Sequence, residues 1–136
     1  MSVDGLTSVA SSFNPKETLE RLEAQIKAKG LTVFARVDHA AGAAAVGMAL
    51  RPTEVVLFGN ARGGTPLMAD KQTAGIDLPL KFLVWQDEAG KTWLSYNEPD
   101  WIARRHGLGA TSDAPRHAMT GLLAALAKAA ASSAAG

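Results

Sequence analysis

Apolar positions recur along this chain with two periods, and the periods divide it into strands and helices. Thr7 to Phe13 alternates with Val9 and Phe13 on one face, which predicts a first strand. Asn14-Pro15-Lys16-Glu17 then has the form of a helix start: an N-cap asparagine, a proline at the first helical position and a glutamate placed to close a capping box. Leu19, Leu22 and Ile26 continue as one helical stripe, and Gly30 stands where a helix-ending glycine belongs, so a helix is predicted over Pro15 to Lys29. Leu31, Val33, Ala35 and Val37 alternate again and predict a half-buried strand with all four facing one way. A short helix is expected within the Ala- and Gly-rich stretch His39 to Met48.

Val55 to Phe58 is an unbroken apolar run, suited to a central strand over Glu54 to Gly59. Gly59 to Gly64 reads as a loop, and Thr65-Pro66 as the cap and first residue of a helix running to about Ala74. Leu80 to Asp87 and Lys91 to Tyr96, joined by Glu88-Ala89-Gly90, form the clearest hairpin in the chain. A short helix from Asp100 closes at Gly107, and a last helix opens at Asp113 and Pro115 and carries Met119, Leu122, Leu123 and Leu126. Residues 131–136 are small and polar and are expected to fray. No repeat or linker divides the rest, so residues 1–136 read as one domain. The predicted class is α+β: a two-layer sandwich whose mainly antiparallel sheet of about five strands carries two long helices on one face, with short helices inserted.

Composition narrows the function classes. With 47% hydrophobic and 20% charged residues, the chain can bury a core. Fourteen basic residues against thirteen acidic leave a net charge of +1. The densest basic cluster is Arg104, Arg105 and His106, too small for the concentrated cationic face that nucleic acid requires, so no nucleic-acid partner is expected. The absence of cysteine excludes disulfides, thiolate nucleophiles and Cys-ligated metal. No signal sequence or membrane-spanning apolar run is read, so a cytoplasmic protein without a membrane partner is expected.

Three stretches carry a likeness: VFARVDHAAGAAAVGMALRPTEVVLFGNARGGTPLM (Val33 to Met68), GIDLPLKFLVWQDEAG (Gly75 to Gly90) and IARRHGL (Ile102 to Leu108). Asp38-His39 before an alanine run, Phe58-Gly59-Asn60 with Gly64-Thr65-Pro66-Leu67-Met68, and Asp77-Leu78-Pro79 together resemble the domain of unknown function family DUF302. That family usually has proline after the asparagine, where this chain has Ala61. The resemblance implies a TATA-binding-protein-like arrangement of strand, helix, four strands and helix, and it implies a homodimer. It carries no activity, because fold is not function.

The candidate chemistry centres on two features. Gly59 to Gly64 followed by Thr65 would bring free backbone N–H groups and the positive end of a helix to a ligand, with Arg62 adding charge. This suits phosphate, sulfate or a carboxylate, although the spacing is neither a Walker A loop nor a dinucleotide fingerprint. The plainer reading is a tight strand-to-helix turn. His39, beside Asp38 at a strand end, could bind a ligand or move a proton, or simply satisfy backbone groups at a helix start. His106 suits a helix C-terminus, and His117 suits the surface. A metal held by His39 and His106 with Asp38 or Asp100 lacks any His-x-His or i, i+4 pair, so no metal or cofactor is assigned. No serine lies in a nucleophile elbow, which leaves enzymatic activity open. Trp85 and Trp93 are placed to pair across the hairpin.

The leading expectation is a non-catalytic homodimer binding a small anionic or polar ligand. Its site comprises His39, Asn60, Arg62, Gly63, Gly64, Thr65 and His106, with His39 and the turn after Phe58 opening onto one hollow. The alternatives are a His-based or metal-dependent enzyme, and a protein-interaction domain using the hairpin aromatics.

Overall fold

A computed structural model describes residues 2–133. The strands are β1 (Leu6–Ser11), β2 (Thr32–Asp38), β3 (Thr53–Gly59), β4 (Leu80–Gln86) and β5 (Thr92–Asn97), in one antiparallel sheet of order β1-β5-β4-β3-β2. The helices are α1 (Pro15–Ala28), α2 (His39–Ala45), α3 (Ala61–Asp70), α4 (Pro99–His106) and α5 (Asp113–Ala131). Short 3₁₀ segments cover Gln72–Asp77 and Ala110–Ser112. The predicted α+β sandwich is the observed one, and its order is strand, helix, four strands and helix once α2, α3 and α4 are taken as insertions.

Period 2 assigns the two faces of the sheet. Val56 pairs with Phe82 and Val84 with Leu94, and all four are buried with Leu22 and Ile26 of α1 and Leu123 and Leu126 of α5. Phe58 stacks on Phe82 at 5.6 Å, and Phe82 meets Tyr96 edge-on at 5.3 Å. The opposite face carries Val55 beside Leu83 and Trp85 beside Trp93. The two indoles stack at 6.2 Å, the cross-strand pair that the hairpin pattern predicts. Asp87 closes that hairpin by accepting from the backbone N–H groups of Ala89 and Lys91 and from Trp93 Nε1. The Trp93 bond first, and the Lys91 N–H after it, hold the Asp87 carboxyl below its ordinary pKa.

Four expectations are corrected. β1 stops at Ser11, because the Ser11 hydroxyl takes the Phe13 N–H and turns the chain toward α1, leaving Phe13 outside the sheet beneath Arg21. Asn14 caps α1 by accepting from Glu17 N at 2.8 Å, but the Glu17 carboxylate pairs with Arg21 instead of closing a capping box. β2 does not present its alternate residues to one side: a register shift between Val33 and Ala35 leaves Val33 opposite Phe58 on the helix side and Val37 opposite Val55 on the other. As an edge strand it is largely exposed rather than half-buried. Ala131 does not fray; it ends α5, is buried, and its carbonyl accepts the Ser12 N–H at 2.7 Å. Of the tail expected to fray, residues 134–136 lie outside the described residues.

Candidate functional site

Where β3 ends and β4 begins, the sheet, α3 and α5 diverge and leave a cavity of about 590 Å³. Phe58 and Leu80 line it from the strand ends, Met68 from α3, and Met119 and Leu122 from α5. Phe34, at the bulge of β2, lies at the same end and is 54% exposed. Among the described residues the lining is apolar apart from Asn60 and Arg62, and Arg62 is its one charged side chain. Arg62 pairs with no carboxylate among the described residues.

The glycine-rich segment is helical, not a loop. Asn60 is extended and caps α3 by accepting from Gly63 N at 2.8 Å. Ala61 takes the first helical position, where a proline would also fit. Gly63 and Gly64 lie inside the first turns of α3 and line the cavity, where a side chain would narrow it. Thr65 is therefore not a cap and lies outside the cavity lining. Pro66, read as a helix start, sits inside α3. The sequence signal misled because Thr-Pro is a strong start motif, and a capping asparagine five residues earlier competes for the same role.

The histidines do not join this cavity. The β2–β3 ladder has Thr32 opposite Gly59 at the cavity end and Asp38 opposite Glu54 at the other, so His39 stands about 20 Å of strand away. Asp38 caps α2 through Ala41 N at 2.9 Å, and His39 is an exposed residue at that helix start. The common hollow expected for His39 and the Phe58 turn is absent. Nor do His39, His106, Asp38 and Asp100 converge, and no cluster of three or more potential metal ligands occurs among the described residues. His117 is exposed, as expected.

His106 belongs to a different constellation, one that sequence reasoning missed. Its Nε2 lies 2.6 Å from Asp77 Oδ2 and its Nδ1 lies 2.9 Å from Thr73 Oγ1. Arg105 Nη1 donates to both Asp77 oxygens at 2.9 and 3.0 Å. The His106 and Asp77 side chains are only 7% and 11% exposed. Nearby, Asp70 accepts from Ser112 Oγ and Gly109 N, and these bonds hold its carboxyl below the ordinary value. The first group ties the 3₁₀ segment to the end of α4, and the second ties the end of α3 to the chain between α4 and α5.

The molecule is thus an antiparallel α+β sandwich with one sheet face open and an apolar pocket at the sheet end. Residues 7–126 match the family described as domain of unknown function DUF302, and the chain belongs to that family. A solved DUF302 protein from Bacillus stearothermophilus, described as an uncharacterized conserved protein, superposes with a TM-score of 0.83 at 21% identity, over 94% of this chain and 99% of that one. Proteins named fluoride-specific ion channel FluC 1 in Brucella suis biovar 1 (strain 1330) and FluC 2 in Brucella melitensis biotype 1 are each 50% identical over 115 residues, 85% of this chain. The chain spans only 45% and 43% of their lengths. Among the described residues, no helix is long and apolar enough to cross a membrane.

Proposed function

We propose that this domain binds a small amphipathic anion, an aliphatic or aromatic monocarboxylate, in the cavity at the sheet end. One observation carries the reading: an apolar cavity of about 590 Å³ whose only charged lining residue, among the described residues, is Arg62. Its volume lies in the range of small-molecule sites. Apolar walls favour an apolar ligand body by about 25 cal/mol per Å² removed from water. The Arg62 guanidinium and the first turn of α3, where Asn60, Gly63 and Gly64 also line the cavity, favour a carboxylate at one end. A wholly polar ligand is disfavoured, because such walls cannot replace its hydration. The same reasoning disfavours fluoride here. The activity named for the Brucella proteins is then assigned to the part of those longer chains that this one does not match.

Decanoate, decanol, inorganic phosphate and fluoride, each at millimolar concentration, test the reading by thermal melting and calorimetry. Decanoate is expected to raise the midpoint by about 3 °C, and phosphate and fluoride to leave it unchanged. Arg62→Ala should weaken decanoate about tenfold and spare decanol. Ala118→Trp, at an exposed position on the cavity rim, should abolish binding of both without loss of fold. A response to phosphate but not decanoate would refute the proposal.

A second reading, self-association, rests on the exposed apolar residues of β2 and the segment after it. Phe34, Val37, Val46, Met48 and Leu50 are 44% to 72% exposed, and α2 between them has no buried residue. An alanine-rich helix of seven residues draws little stability from itself. Covering this surface with a second copy would supply it. Sedimentation equilibrium should show a dimer at micromolar concentration, reduced to monomer by Phe34→Glu with Val37→Lys; a wild-type monomer at high concentration would end this reading.

A further inference from the structure

We infer that Thr73 is an acyl-acceptor hydroxyl, activated by His106 and positioned by Asp77 and Arg105, and that it takes acyl groups from activated esters or thioesters. The site is separate from the cavity and does not depend on the ligand proposed there. The geometry is that of a nucleophile, a base and an orienting acid. Thr73 Oγ1 lies 2.9 Å from His106 Nδ1, and His106 Nε2 lies 2.6 Å from Asp77 Oδ2. This matches the hydrogen-bond reach expected of an activated nucleophile whose base is oriented by a third group.

Each member is held by structure around it. Arg105 donates to both oxygens of Asp77, which fixes the orientation of that carboxylate. In the tautomer whose Nε2–H donates to the Asp77 carboxylate, the Nδ1 lone pair faces the Thr73 hydroxyl. His106 is the last residue of α4, and Gly107, at φ 66°, turns the chain away in the left-handed region, so the ring is delivered onto the 3₁₀ segment from one side. The Thr73 hydroxyl on the far ring nitrogen completes a line of three groups through the imidazole.

The distribution of exposure fits a reacting group. The imidazole and carboxylate are nearly buried, whereas Thr73 is exposed. In a 3₁₀ segment, side chains three residues apart eclipse one another. Ile76 therefore shares the face of Thr73, and it is 73% exposed. An apolar acyl chain lying against Ile76 would bring its carbonyl carbon toward Thr73. In the reaction the Thr73 O–H bond breaks and its proton passes to His106 Nδ1, while the oxygen forms a bond to the acyl carbon. The carbon–oxygen or carbon–sulfur bond of the donor breaks, and the leaving group departs with the electron pair and takes the proton from His106. Water attacking the acyl-threonine releases the carboxylic acid and restores the hydroxyl.

The test is p-nitrophenyl butyrate with the full chain, followed by release of nitrophenol and by mass mapping of butyrylated peptides. The wild type should gain one butyryl group at Thr73. Thr73→Val should lose it, and Thr73→Ser should retain it. His106→Gln, which keeps a donor toward Asp77 but no base toward Thr73, should slow acylation about a hundredfold. Asp77→Asn should slow it as well, with Asp77→Glu restoring part of the rate, and circular dichroism should show every variant folded. Acylation confined to lysines, or a His106→Gln rate equal to wild type, overturns the inference; so does Thr73 labelling no faster in the folded chain than in urea.

Discussion

Phe58→Ala is expected to lower the unfolding free energy by about 3–5 kcal/mol, the usual cost of deleting a fully buried ring. Phe58 has no exposed surface, and its ring stacks on Phe82 at 5.6 Å near the end of β3. Against a total of about 5–15 kcal/mol for an ordinary domain, the loss would lower the thermal midpoint by about 10 °C or more. Phe58 also lines the cavity, so the void left by the ring joins a space that already exists. Neighbours have little reason to collapse into it, and the cost should fall toward the upper end of the range. Decanoate should recover part of the loss by occupying the enlarged space. Phe58→Leu, which keeps most of the volume, should cost less than about 1.5 kcal/mol. Urea unfolding of the two variants with and without decanoate checks this. A cost near 1 kcal/mol for the alanine variant would mean that the end of β3 contributes little to the core.

Most of the fold was legible because its determinants are local. The α1 stripe of Leu19, Leu22 and Ile26 is buried as the spacing predicts, and Asn14 and Gly30 bracket the helix. The hairpin could be read from its turn, and Trp85 meets Trp93 in register. Errors arose where a single residue resets a pattern. The extra residue at Phe34 inverts the alternation of β2, and no pairwise period reveals a bulge. Asn60 and Thr65 are both good caps, and the choice between them depends on how closely α3 must follow Gly59 to pack Leu67, which is fully buried, into the core.

The candidate site was less legible, for a physical reason. A cavity is the space that elements leave between them, and no local pattern encodes it. The Asn60, Arg62, Gly63 and Gly64 part of the expected site does line the cavity, because those residues are consecutive and one local guess sufficed. His39 was assigned to it as a histidine beside Asp38 at a strand end, within the family-like motif, and the antiparallel register carries it to the other end of the ladder. His106 and Asp77 are 29 residues apart and meet only because α4 returns across the 3₁₀ segment. Both were within view in sequence, His106 as a helix-end cation and Asp77 in its Asp-Leu-Pro motif. What the sequence lacked was any signal that the two were partners.

Gly5→Ala should cost about 3 kcal/mol, although it adds only one methyl group near the start of the chain. Gly5 has φ 75°, in the left-handed region where an L side chain is disfavoured. A Cβ placed there would stand 2.2 Å from Cγ of Trp101 and 2.4 Å from its Cδ1. These atoms lie at the root of the indole, so a change at the far end of the side chain cannot relieve the clash; the ring or the backbone must move. The Gly5 carbonyl accepts the Glu98 N–H at 2.8 Å just before α4, which restricts movement of the backbone. Displacement of Trp101 would then be felt by Arg105, whose guanidinium lies 5.7 Å from the indole centroid and clamps Asp77. Two losses are therefore expected together in Gly5→Ala: a lower midpoint on heating, and slower butyrylation of Thr73 at temperatures where the protein remains folded. Trp101→Ala in the same background removes the atoms that clash and should return part of the stability, leaving only the cost of the positive φ. If the double variant is no more stable than Gly5→Ala alone, the backbone conformation rather than the indole makes this position a glycine.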